Sequence, residues 1–82
     1  MNKVLTKFEF DLASKATKGF SMAEEFEATD IFFGEYFVEY ILDGHYQTGY
    51  SFDEISENID SNFDYSYTMY KEFIAYKQEQ GK

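Results

Sequence analysis

The sequence predicts an all-α fold, a small domain of three to five helices around an aromatic core, and three observations carry that prediction. Ten Phe and eight Tyr occur in 82 residues that are 44% hydrophobic, and each buried ring removes on the order of 150–250 Å² from water. Apolar residues recur at helical spacing in Ile31 to Leu42 and again in Phe63 to Tyr76. Ser and Glu three residues apart, the form of a capping box, stand at Ser21/Glu24 and Ser51/Glu54. A chain of this length is expected to make a single domain over residues 1–82.

Residues 3–18 have two readings. Leu5, Phe8, Leu12 and Ala16 follow a helical spacing, whereas Phe8, Phe10 and Leu12 alternate with Glu9 and Asp11 as a half-buried strand would. The Ala-Ser-Lys-Ala tail and the scarcity of β-branched residues favour the helix; a small α+β domain with residues 3–12 as a strand is the alternative. Gly19 follows as a stop, behind Lys15 and Lys18, where cations suit the negative end of a helix.

The Ser21/Glu24 box predicts a helix from Met22, and Thr29 with Asp30 offers a second entry, so a break or kink is expected there. Ile31 to Leu42 is expected to be the strongest and central helix, apolar nearly all round except for a line through Glu35, Glu39 and Asp43. Within it Gly34 counts as a cost of about 1 kcal/mol relative to Ala. Gly44 is the expected cap, and His45 to Tyr50 a connector bending at Gly49. The Ser51/Glu54 box, with Tyr50 and Ile55 as a hydrophobic staple, starts a short helix with Phe52, Ile55 and Ile59 inward and Asp53, Glu57 and Asp60 outward. From Phe63 to a stop at Gly81 the last helix carries two apolar faces, Phe63, Tyr67, Tyr70 and Ile74 on one and Tyr65, Met69, Phe73 and Tyr76 on the other. So wide a band points to burial on more than one side, against the core and against a homodimer partner or another protein.

Charge is the strongest functional signal. The chain carries a formal net charge of -9, and no Lys or Arg occurs from Gly19 to Tyr70, against twelve carboxylates in the same stretch. Direct nucleic-acid binding is opposed by that balance, since phosphate recognition depends on cations releasing counterions. Anionic membranes are opposed for the same reason, and no run of about 18 apolar residues offers a span. With no Cys, disulfides and thiolate metal sites are excluded, and a cytoplasmic location is the expectation. Catalytic tools are few: one His, no Cys and no Arg. The twelve-residue interval from Asp43 to Glu54 lacks the acids and the Gly that a calcium loop needs. A non-enzymatic protein with no metal and no cofactor is expected.

Carboxylates at i, i+4 on a helix form rows, with Cβ atoms about 5–6 Å apart. Glu35, Glu39 and Asp43 make one row, Asp53, Glu57 and Asp60 a second, and Tyr36, Tyr46 and Tyr50 are candidate contacts among them. Such rows imitate the charge pattern of a sugar-phosphate backbone and would steer the chain to a basic groove. In charge, size and aromatic content the chain resembles the small acidic inhibitors that phages and mobile elements use against restriction enzymes, CRISPR nucleases or DNA-repair enzymes, some of which mimic DNA. The expected partner is a basic nucleic-acid-binding protein or nuclease. An acidic protein-protein interaction or structural module that binds through an apolar aromatic face, as a homodimer or as a monomer, is the alternative.

Overall fold

The computed structural model describes residues 3–20 and 22–80, and over these the chain is all-α, with no strand. In order come α1 (Lys7–Ala16), a 3-10 turn (Thr17–Gly19), α2 (Ala23–Ala28), α3 (Asp30–Phe33), α4 (Glu35–Thr48), α5 (Phe52–Ser61) and α6 (Phe63–Gln80). The described helices number six because the expected 22–42 region breaks twice. The break at Thr29 is the one expected; Gly34 makes the second.

Residues 3–12 do not form a strand. Thr6 caps α1: its hydroxyl accepts from the Glu9 N–H at 3.2 Å, and its own N–H donates to the Glu9 carboxylate at 2.9 Å. Of the expected stripe, Leu5 precedes the helix and is in the core, while Phe8, Leu12 and Ala16 are exposed; the face that α1 itself buries is Phe10, Ala13 and Ser14, continued by Thr17 of the 3-10 turn. Phe8 and Leu12 stay 71% and 53% exposed. Two hydroxyls disguised the true stripe. Ser14 and Thr17 bond the Asp11 and Ala13 carbonyls, which lets both enter the core satisfied.

Gly34 lies outside any helix interior. Its φ of 85° is open to glycine alone at ψ 145°, and a Cβ built there would stand 2.7 Å from the Lys3 Cβ and 2.8 Å from the Lys3 carbonyl oxygen. The N-terminal strip therefore crosses directly over this corner. Gly44, expected as a cap, is instead inside α4, and His45 to Thr48 are helical rather than a connector. The helix stops at Gly49, in the left-handed conformation at φ 76°, with its N–H on the His45 carbonyl at 2.9 Å. The Ser51/Glu54 box is present as read, at 3.0 and 3.2 Å. Ser21 and Gly81, read as a cap and a stop, lie outside the described residues; Met22 takes the cap position of α2, its N–H donating to the Glu25 carboxylate at 3.0 Å.

Aromatic rings fill the core in two linked groups. Phe10, fully buried, meets Phe37 edge-on at 5.7 Å, Tyr67 at 5.3 Å and Tyr70 at 4.9 Å, so α1, α4 and α6 converge on one ring. Phe26 stacks edge-to-face between Phe20 and Phe52, at 4.6 and 4.7 Å, and Phe33 against Phe37 joins the two groups. Edge-to-face rings of this kind add about 0.5–1.5 kcal/mol per pair beyond area burial. Polar ties fix the register: the Leu5 N–H donates to the Tyr70 hydroxyl at 2.9 Å, the Tyr67 hydroxyl donates to the Leu5 carbonyl at 3.0 Å, and Ser56 of α5 donates to the Ser14 carbonyl of α1 at 2.7 Å. Among the described residues no helix is long and apolar enough to cross a membrane.

Candidate functional site

The lysines sit where the chain order puts them, at its two ends, and five of them form ion pairs among the described residues, two within α1 and its entry and three with distant acids. Lys3 meets Glu9 at 3.2 Å, Lys7 meets Asp64 at 2.7 Å and Lys15 meets Asp11 at 3.0 Å. Lys18 and Lys77 reach across to the helical rows, to Glu57 at 4.0 Å and Glu39 at 3.8 Å. Pairs this exposed contribute about 0–1 kcal/mol each, so they decide charge distribution rather than stability.

Each predicted row thus has a cation at its middle member only. On α4, Glu35 and Asp43 are exposed and have no ion pair among the described residues, while Glu39 faces Lys77 of α6. On α5, Asp53 and Asp60 are likewise exposed and unpaired, while Glu57 faces Lys18 of the 3-10 turn. The rows therefore border different neighbours, α6 in one case and the α1 corner in the other. Glu24 and Glu27 of α2 add two further exposed acids with no ion pair among the described residues.

Of the three tyrosines expected as contacts, Tyr46 is 69% exposed and Tyr50 is 43% exposed, but Tyr36 is not a surface contact. It is 8% exposed and belongs to the core cluster. His45 has a structural task. Its Nδ1 lies 2.6 Å from the Tyr50 carbonyl oxygen, which can only accept, so Nδ1 carries the proton; the ring packs on Phe52 at 4.5 Å. Among the described residues no three His, Asp or Glu side chains are grouped to hold a metal ion.

Two apolar features complete the surface. Leu12 on the outer face of α1 and Phe32 of α3, which is 73% exposed, line a common depression, and Phe8, one turn before Leu12, is exposed as well. The larger feature is an open groove of about 440 Å³ walled by α4, α5 and α6. Its α6 wall is part of the second apolar face read in the sequence: Met69 and Tyr76 are exposed, and Phe73, half-buried, packs edge-on against Tyr40 at 5.8 Å. The groove's α4 wall runs past the Gly44 stop that the sequence reading gives this helix, since α4 continues to Thr48. The signal against that reading was the stronger stop at Gly49, two residues ahead of the Ser51/Glu54 box.

No family model, curated protein or solved structure matches the chain.

Proposed function

We propose that the protein is a non-enzymatic acidic inhibitor that occupies the basic nucleic-acid groove of a DNA- or RNA-binding protein or nuclease. One observation carries this reading: five lysines pair with Glu9, Asp11, Asp64 and the middle members of the two rows, so that Glu35, Asp43, Asp53 and Asp60 face solvent on helices with no ion pair among the described residues. Fixed carboxylates on a helix cost little reorganisation on binding, and a lysine-free span steers toward a cationic cleft with on-rates that fall as salt rises. Tyr46 and Tyr50 supply exposed ring area beside α4 and α5.

Binding is tested against a panel of nucleases and DNA-binding proteins at about 0.1 M salt, where the Debye length is about 10 Å, with duplex DNA as competitor. Capture of a basic member, displaced by salt and by DNA and lost in a Glu35→Lys, Asp43→Lys, Asp53→Lys, Asp60→Lys variant of unchanged helicity, is the expected result. Capture that survives the four reversals or is indifferent to salt sinks the reading.

A second reading is an interaction module that pairs with its own copy through its apolar aromatic surface, and the exposed Phe8, Leu12 and Phe32 patch favours it. Sedimentation equilibrium separates the two. A dimer that persists at high salt and dissociates in Phe8→Glu supports self-pairing; a monomer at all salt concentrations removes it.

A further inference from the structure

We infer that the groove between α4, α5 and α6 is a docking site for a basic amphipathic helix of a partner protein. The inference goes beyond the nucleic-acid reading and stands whether or not the partner binds nucleic acid.

Gly44 is the first observation. It lies in the interior of α4, where glycine weakens a helix relative to alanine. Nothing in the fold asks for it there: its φ is not positive, and a Cβ at this position would meet no atom within 4 Å. Gly34, by contrast, is demanded on both counts. Tyr40, Gly44 and Thr48, one turn apart along α4, all line the groove, so the missing side chain is a gap in the middle of that wall. The chain gives up helix stability to keep the groove open.

Shape and charge then select the occupant. The groove is open to solvent, and a second depression of about 450 Å³ adjoins it across a shared ridge of Asp43, Phe73 and Tyr76. A trough in two adjoining parts suits an elongated occupant whose apolar anchors recur each turn, as an amphipathic helix presents them, better than a compact small molecule. The lining is mainly apolar, with Ile55, Ile59, Met69 and Phe73 among its members and Thr48, Asn58 and Ser66 set between them. The rim is acidic: Glu39 and Asp43 on the α4 side face Glu72 on α6, and Lys77, the one cation lining either depression, already pairs with Glu39. Asp43 and Glu72 have no ion pair among the described residues. An anionic or fatty-acid ligand meets repulsion at that rim, whereas a helix with Leu or Phe on one face and Lys or Arg beside it satisfies both surfaces.

The probe is a fluorescent synthetic peptide of about 18 residues, about five helical turns, made of Leu and Lys with Leu on one face. Its controls are a scramble of equal composition and an analogue with Gln for Lys. The full chain is expected to bind the amphipathic peptide at least about tenfold more tightly than either control, a difference of about 1.4 kcal/mol. Gly44→Ala raises Tm by about 4–8 °C yet weakens the peptide, and Gly44→Leu weakens it about tenfold or more. Met69→Ser, at a position already 38% exposed, does the same without touching the core or the charge of the rim and decides the matter should Gly44→Leu fail to fold. Equal binding of the scramble means attraction by charge alone and overturns the proposal, as does binding unchanged in Met69→Ser. Equal binding of the Gln analogue overturns the basic character of the partner. Concentration-dependent dimerisation abolished by Met69→Ser assigns the groove to a second copy instead.

Discussion

Two glycines that look alike in the sequence have opposite consequences. Gly34→Ala forces a side chain into a conformation reserved for glycine and against the Lys3 backbone, and is expected to cost about 1–3 kcal/mol or more in urea unfolding. Gly44→Ala is expected to stabilise. Tyr70 is a second residue on which much rests, because its hydroxyl accepts the buried Leu5 N–H. Tyr70→Phe orphans that donor, at about 1–3 kcal/mol. Burial, above all, raises the Tyr70 phenol above its ordinary value of 10.0, opposed by the Leu5 N–H and aided by Tyr67 and Glu9; burial also raises Tyr40. The unfolded phenols therefore ionise first. Their contribution is complete below about pH 10 and is lost as pH rises through the folded values. Urea midpoints should fall steeply above about pH 10 in the wild type and less so in Tyr70→Phe, with Tyr40 supplying the remainder.

The helices differ in how they are specified. α5 is set locally: its cap, staple residues and inward face Phe52, Ile55 and Ile59 agree with one another, and all three are buried. Ser51→Ala is expected to cost about 1 kcal/mol by denaturant unfolding. Backbone N–H groups hold Glu9 and Glu54 below the usual carboxylate value of 4.5, from Thr6 in one case, with Lys3 aiding, and from Ser51 in the other. Lowered folded values mean stability present above about pH 4.5 and lost as pH falls through them, so acid unfolding of a Glu9→Gln, Glu54→Gln variant should be shallower than that of the wild type. α1 is set by its surroundings. Phe10→Ala, which empties the meeting point of three helices, is expected to cost about 3–5 kcal/mol, whereas Phe8→Asp on the exposed face should stay within about 0.5 kcal/mol. Reversed magnitudes in chemical denaturation would restore the face that apolar spacing alone suggests.

Charge acts on the molecule as a whole. A formal net charge of -9 on a domain with a Cα radius of gyration of 11.6 Å stores self-repulsion that counterions relieve. Added salt is therefore expected to raise Tm by calorimetry, the five exposed ion pairs being too weak to reverse the trend. The same salt weakens charge-led partner binding. Stability and binding thus respond to ionic strength in opposite directions, a signature that apolar self-pairing would not give.

By itself the sequence determined the fold class, the break at Thr29, the entire α5 segment, the core face of α6 and the segregation of charge. Each follows from composition, from contacts within four residues, or from periodicity where one arc of a helix is plainly the more apolar. Only the tertiary structure decided which arc of α1 is covered, which glycine is a corner and which a gap, and whether Tyr36 is core while Tyr46 is surface. Periodicity places a residue around its own helix, but burial depends on what lies opposite. Ser14 and Thr17 could enter the core because carbonyls and α5 received them, and Met69 and Tyr76 on the second apolar face of α6 stayed open because no other segment of the described chain closes over them.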